Sequence, residues 1–305
     1  KRLISTIFCY LCSDNYLFNN GGNLHYSTKN HSTVKKVLYI NQEMTPYIDE
    51  SEMSILGTNV ARAIQEKGGC EVRSFMPKWG HVNERRNQLH EVIRLSGMNL
   101  IINDTDHPLI IKVASIQSAR MQVYFIDNDD LFHRKFTVTD ENGEEFDDNE
   151  DRSIFFVRGV LETVKKLRWT PDIIHCQGWM TALTPIYIKK AFNTDPFFKN
   201  SKIVYSIYGD DFKKPFSSSF SDKLKLDGIT DDDLKTILKK EVSFSDLTKF
   251  AMEYSDGVVL ASPSVNKELS DFVQKSGKLY LPTPDAENYA DAYNEFYDKV
   301  LEATK

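Results

Sequence analysis

Three short stretches hold the side chains best placed for chemistry: Asp49-Glu50-Ser51-Glu52, Gln177-Gly178-Trp179-Met180 and Tyr208-Gly209-Asp210. Each follows, directly or after a loop, an apolar run that reads as a strand: Lys36–Asn41, Ile173–Cys176 and Ile203–Ile207. In open α/β sheets, ligands sit just outside the carboxyl ends of the strands. Asp49, Glu52, Gln177, Trp179, Met180, Tyr208 and Asp210 are therefore the ligand-cleft candidates. They offer hydrogen bonding and negative charge. No nucleophile–base pair, phosphate loop or metal cluster accompanies them, so no catalytic residue, metal site or cofactor is assigned. Asp49, Glu50 and Asp210 could act as acid–base groups of an unrelated enzyme, but loop carboxylates are mostly solvated.

Each candidate also has a structural reading. Ser51 suits a helix N-cap, and Asp49, Glu50 and Glu52 suit the positive end of that helix's dipole. Met180 fits an apolar gap. His175, within a buried strand, reads as a satisfied core histidine. Cys9-x2-Cys12-x12-His25-x5-His31 has zinc-finger spacing, but Asn19–Asn23 falls where such a finger needs its helix, and the match reads as coincidence.

The elements that must position these residues alternate. Lys36–Asn41 is the first strand, and Met53, Leu56, Val60, Ala63 and Ile64 mark a helix face ended by Gly68-Gly69. Glu71–Met76 is the second strand, and Leu89–Ile102 and Leu109–Ile126 supply more. Ile154–Leu167 is a helix leading into Ile173–Cys176. After Gly178, a helix with Leu183, Ile186 and Tyr187 on one face is kinked at Pro185. Ile203–Ile207 and Gly257–Ala261 are strands, Leu234–Leu238 and Leu247–Tyr254 are helical, and Ser262-Pro263 starts another helix. This pattern predicts a doubly wound, Rossmann-like α/β parallel sheet. Tyr289, Ala292, Tyr293, Phe296, Tyr297, Val300 and Leu301 form the face of an amphipathic C-terminal helix that packs back on the domain.

At 305 residues with 41% hydrophobic and 27% charged residues, the composition is that of an ordinary soluble globular protein. A net charge of −6 argues against nucleic acid as a partner. The acidic stretches Asp127–Asp130 and Asp140–Asp151 read as solvated loops. No apolar run approaches the ~18 residues of a membrane span. Few cysteines, read as small buried hydrophobes, point to the cytoplasm. Residues 1–33 read as a leader, disordered or not native, with translation expected to begin near Val34. The domain is expected over 34–284 and the terminal helix over 285–305.

Trp169–Lys189 resembles the glycogen and starch synthase segment D-I-I-H-C-N-D-W-H-T-A-L-V-P-L-Y-L-K. Asp172–Cys176, Trp179 and Thr181–Leu183 match. Lys36–Pro46 resembles that family's opening strand and E-x-x-P turn, and Met76–Gly80 its L-P-x-Y-G. Val92–Met98, Val123–Asp127, Asp148–Phe156 and Val258–Pro263 also have counterparts. The resemblance implies the N-terminal half of a GT-B glycosyltransferase.

Its departures fall on ligand-facing positions. The family's Asn-Asp is Gln177-Gly178, its active-centre histidine is Met180, and the histidine of its T-I-H-N is Tyr208. Its K-x-G-G-L loop, which binds the diphosphate of a sugar nucleotide, is here Asp49–Met53, with three carboxylates and no lysine. The family's donor-binding second domain is expected to have been lost, with the terminal helix kept as a lid on the apolar surface this leaves. The expected function is therefore non-catalytic, a glucan-related binding or regulatory protein. Its partners would be α-glucan and a protein covering the cleft, and Trp79 and Trp179 could stack on sugar rings. The alternative is a glucosyltransferase using ADP- or UDP-glucose, completed by a partner chain.

Overall fold

The computed structural model describes Tyr16–Phe18, Leu24–Tyr26 and residues 34–303 except residue 286. The chain divides into two compact units, Lys1–Val34 and Lys35–Lys305. In the first, β1 (Tyr16–Phe18) and β2 (Leu24–Tyr26) pair antiparallel. Cys9, Cys12, His31 and the proposed start lie outside or at the border of the described residues.

The second unit opens with β3 (Lys35–Asn41), helix α1 (Glu52–Lys67) and β4 (Cys70–Pro77). Five consecutive buried residues at the end of β3 explain its place at the centre of the sheet. Gly68 and Gly69, at φ 81° and 76°, end α1 as expected. Next come β5 (His90–Glu91), β6 (Met98–Ile102), β7 (Thr105–Ile116), β8 (Met121–Asp127), α2 (Asn149–Lys166), β9 (Ile173–Gln177) and β10 (Lys202–Ile207). The chain closes through α3 (Phe244–Tyr254), β11 (Gly257–Leu260), α4 (Lys267–Lys275), β12 (Leu279–Leu281) and α5 (Tyr289–Glu302).

The ten-stranded sheet runs β12-β11-β10-β9-β3-β4-β8-β7-β5, with β6 on β7. From β12 to β8 every neighbouring pair is parallel. The parallel core matches the expected doubly wound sheet, and beyond β8 the flank turns antiparallel, β7 running antiparallel to β8, β5 and β6. The cause is local. Asn103 and Asp104, at φ 48° and 60°, form a tight two-residue hairpin turn between β6 and β7, and the Gln117–Ala119 turn with Arg120 at φ 52° reverses the chain between β7 and β8. Successive crossovers leave β3 toward β4 on one side, while β9 and the strands after it build out on the other. The switch point therefore falls between β3 and β9, where Asn41 pairs with Gln177.

Other expectations need amending. The helix after Gly178 is not continuous: a 3-10 turn (Trp179–Thr181), one α turn (Thr184–Ile186) and a π turn (Tyr187–Ala191) replace it. Pro185, without an N–H, sits at the join. Leu234–Leu238 forms turns rather than a helix, although Leu234 and Ile237 are buried. Ser262-Pro263 is a turn ahead of α4. Asp127, read as solvated, is fully buried and paired with Lys112 at 2.9 Å.

Helix α5 lies across the sheet with Tyr293, Phe296, Tyr297 and Val300 buried, the face its spacing predicts. Lys35–Asp298 and Lys67–Asp291 ion pairs fasten its outer side. Among the described residues no helix is long and apolar enough to cross a membrane.

Candidate functional site

Gln42, the first residue beyond β3, organises the carboxyl edge of the sheet. Its N–H donates to the Gln177 carbonyl at 3.0 Å, and its carbonyl accepts from Trp79 Nε1 at 2.9 Å. Its side-chain Oε1 accepts the Met180 N–H at 3.1 Å. The turn after β9 depends on Gly178 at φ 85°, where a Cβ would lie 2.7 Å from Gln42 Oε1 and 2.8 Å from Met53 Sδ. Met53, from the first turn of α1, thus lies directly over Gly178.

Gln177, Trp179, Met180 and Tyr208 are brought together beneath this cover, and all are buried. The Tyr208 hydroxyl donates to Gln177 Oε1. Trp179 packs edge-on against Phe212 and Phe216, with centroids 5.2 and 5.9 Å away. Trp79 is fully buried, so neither tryptophan presents a face to a sugar ring. The stacking expectation fails because both indoles fill the core beneath the loops.

Asp49 and Glu52 stand apart from that cluster, on the exposed N-terminal turn of α1. The Ser51 hydroxyl accepts the Ser54 N–H at 3.0 Å, and the Ser54 hydroxyl accepts the Ser51 N–H at 2.8 Å, a reciprocal cap. The Ser51 hydroxyl also donates to Glu43 Oε2 at 2.7 Å, and Glu52 Oε2 accepts from Ser262 at 2.6 Å. The cap takes the Ser54 N–H, and the Glu43 and Glu52 carboxylates crowd the helix end where a phosphate would bind.

An open cleft of about 580 Å³ lies beside this turn. Glu43, Asp49, Glu50, His81, Lys135 and Phe136 are among the residues that line it. Phe136 is 36% exposed. Burial raises the Glu43 carboxyl above its ordinary range, opposed by hydrogen bonds from Ser51 and Gln42 and by His81. Asp210 is partly buried, and its Oδ2 is shielded without a hydrogen-bond partner. Burial pushes it up to about 7, helped by the Glu43 charge and opposed by backbone N–H groups of Asp210 and Trp179.

His175 lies outside the cleft in the core. Among the described residues no group of three or more His, Cys, Asp or Glu could hold a metal ion. His81 and Phe136 are site residues that spacing does not mark, whereas Glu43 opens the E-x-x-P turn that ends at Pro46. Phe136 sits in a polar loop that looks like any other.

The description "starch synthase catalytic domain" matches residues 36–280. The chain belongs to this family. Glycogen synthase of Chlorobaculum parvum is 31% identical over 242 residues, 79% of this chain and 48% of that protein. Glycogen synthase of Pelodictyon phaeoclathratiforme is 37% identical over 174 residues, 57% of this chain and 35% of that one. The catalytic domain of starch synthase IV from Arabidopsis thaliana, bound to ADP and acarbose, superposes with a TM-score of 0.67 at 19% identity. That match covers 82% of this chain and 51% of the plant one, and it establishes the shared fold. The chain spans about half or less of these relatives.

Proposed function

We propose that this chain is a non-catalytic, glucan-binding member of the starch synthase family that acts in the cytoplasm. The observation that carries the reading is Met53 and Gln42 packed over Gly178. Together with the Ser51 cap, they occupy the switch point where a sugar nucleotide would need open backbone. Electrostatics point the same way. Asp49, Glu50 and Glu52 would each oppose a diphosphate by on the order of 1–4 kcal/mol at surface-like dielectric and contact distance.

The neighbouring cleft suits a neutral polyol instead. Carboxylates of Glu43, Asp49 and Glu50 accept hydroxyl donors, and Phe136 offers an apolar face for a pyranose ring. Acarbose in the plant relative is an oligosaccharide analogue, in keeping with a glucan ligand here. Maltoheptaose titrated into wild type and Phe136→Ala tests the assignment. The variant should bind roughly 3–10-fold more weakly with unchanged melting temperature, since an aromatic contact is worth about 0.5–1.5 kcal/mol. Equal affinity of the two proteins would remove the cleft from the account. Sugar-nucleotide binding would favour the transferase completed by a second chain.

A further inference from the structure

We propose that a second cavity, at the amino-terminal edge of the sheet, binds a phosphate monoester. The cavity has a volume of about 400 Å³ and lies between the C-terminal part of α1, the start of β4 and the β7–β8 connection. Gln65, Glu71, Arg73, Gln117, Arg120 and Gln122 line it, on the opposite side of the sheet from Gly178.

Donors outnumber acceptors among these residues. Arg73 lies over the Trp169 ring, its Cζ 4.8 Å from the centroid. Its Nη2 donates to Glu71 Oε1 at 3.4 Å, and Trp169 Nε1 donates to the same oxygen at 2.8 Å. One oxygen of the cavity's carboxylate is therefore engaged, while Arg73 Nη1 is buried and has no hydrogen-bond partner. Gln65 Oε1 accepts the Val72 N–H at 3.0 Å, and Gln122 Oε1 accepts the Tyr124 hydroxyl at 3.1 Å. With the oxygens of Gln65 and Gln122 each holding one donor, their NH2 ends are left for a ligand, beside the amide of Gln117.

Arg120 supplies the second guanidinium. It makes no ion pair among the described residues and sits at φ 52°, a backbone position that favours glycine. An arginine there accepts a local backbone cost, as side chains at binding sites often do. With Arg73 paired to Glu71 and Arg120 free of ion pairs among the described residues, the cavity lining carries a net charge of +1 in a chain of net charge −6. Planar guanidinium forks match the oxygens of a phosphoryl group, and the amides suit hydroxyls of the esterified alcohol.

The test uses the full chain with inorganic phosphate, glycerol 3-phosphate and glycerol as the uncharged control, followed by calorimetry. Glycerol 3-phosphate should bind and weaken with added salt, and glycerol should not bind. Arg120→Gly keeps the turn without the charge, so it should lose at least about tenfold in affinity with no fall in melting temperature. Arg73→Lys, which keeps the charge without the fork, should also weaken binding. Absence of binding by both phosphates at about 10 mM, far weaker than a built site gives, would overturn the proposal. So would affinity that survives both substitutions, or glycerol binding as well as its phosphate.

Discussion

His175 Nδ1 lies 2.6 Å from the Tyr297 hydroxyl, a buried contact that ties the middle of the sheet to the C-terminal helix. The same hydroxyl is 2.8 Å from that of Tyr39, and His175 Nε2 is 2.6 Å from the Ser206 hydroxyl. Strands β3, β9 and β10 thus share one polar chain with α5. Tyr297→Phe strips partners from both Tyr39 and His175. It should cost about 1–3 kcal/mol in urea unfolding, the usual penalty for orphaned buried groups. A loss below a few tenths of a kcal/mol would mean that α5 is held by its apolar face alone.

Burial lowers His175 from its ordinary 6.5 to about 3. An unfolded chain takes up this proton below pH 6.5, whereas the folded one resists until about 3. Stability from this group is therefore complete above pH 6.5 and drains away as pH falls toward 3, by up to about 5 kcal/mol. His175→Gln should flatten the wild-type stability profile between pH 7 and 4. Parallel profiles would contradict the buried neutral imidazole.

Asp210 acts in the opposite direction. Its folded value of about 7 stands above the unfolded 3.8, so its contribution is most favourable below pH 3.8 and is lost as pH rises through 7. Asp210→Asn should exceed wild type in stability at pH 8 by on the order of 1–3 kcal/mol, discounted for partial exposure. The gap should close at pH 4. Urea unfolding at the two pH values gives the comparison, and a gap independent of pH would refute it.

Gly178→Ala must carry both a positive φ and a Cβ against Gln42 and Met53. A cost of about 2–4 kcal/mol follows from strain and overpacking together. Gly277, at φ 71° with nothing within 4 Å of a Cβ, isolates the backbone share. Its alanine variant should lose only about 1 kcal/mol in the same chemical-denaturation assay. Equal losses would mean that Met53 does not press on Gly178.

Much of this architecture is written in local patterns. The buried run Ile173–Cys176, the Ser51 cap and the spacing of Tyr293, Phe296, Tyr297 and Val300 each depend on near neighbours, and each is legible. The antiparallel flank escapes because Asn103-Asp104 is a weaker hairpin signal than Asn-Gly, and β6 and β7 are apolar in either direction. Leu234 and Ile237 look helical by spacing, yet tertiary contacts bury them in turns. Contact of Met53 with Gly178 joins residues far apart in sequence, so no local pattern reports it. Trp79 shows the converse: an aromatic beside a site is read as a platform until its indole N–H is found on the Gln42 carbonyl.

The most direct measurement is calorimetric titration of the full chain with ADP-glucose, UDP-glucose and maltoheptaose. A switch point filled by Met53 and Gln42 predicts no heat with either nucleotide sugar and saturable binding of maltoheptaose. Micromolar binding of ADP- or UDP-glucose would contradict the account, because Asp49–Met53 would then have to open for a diphosphate.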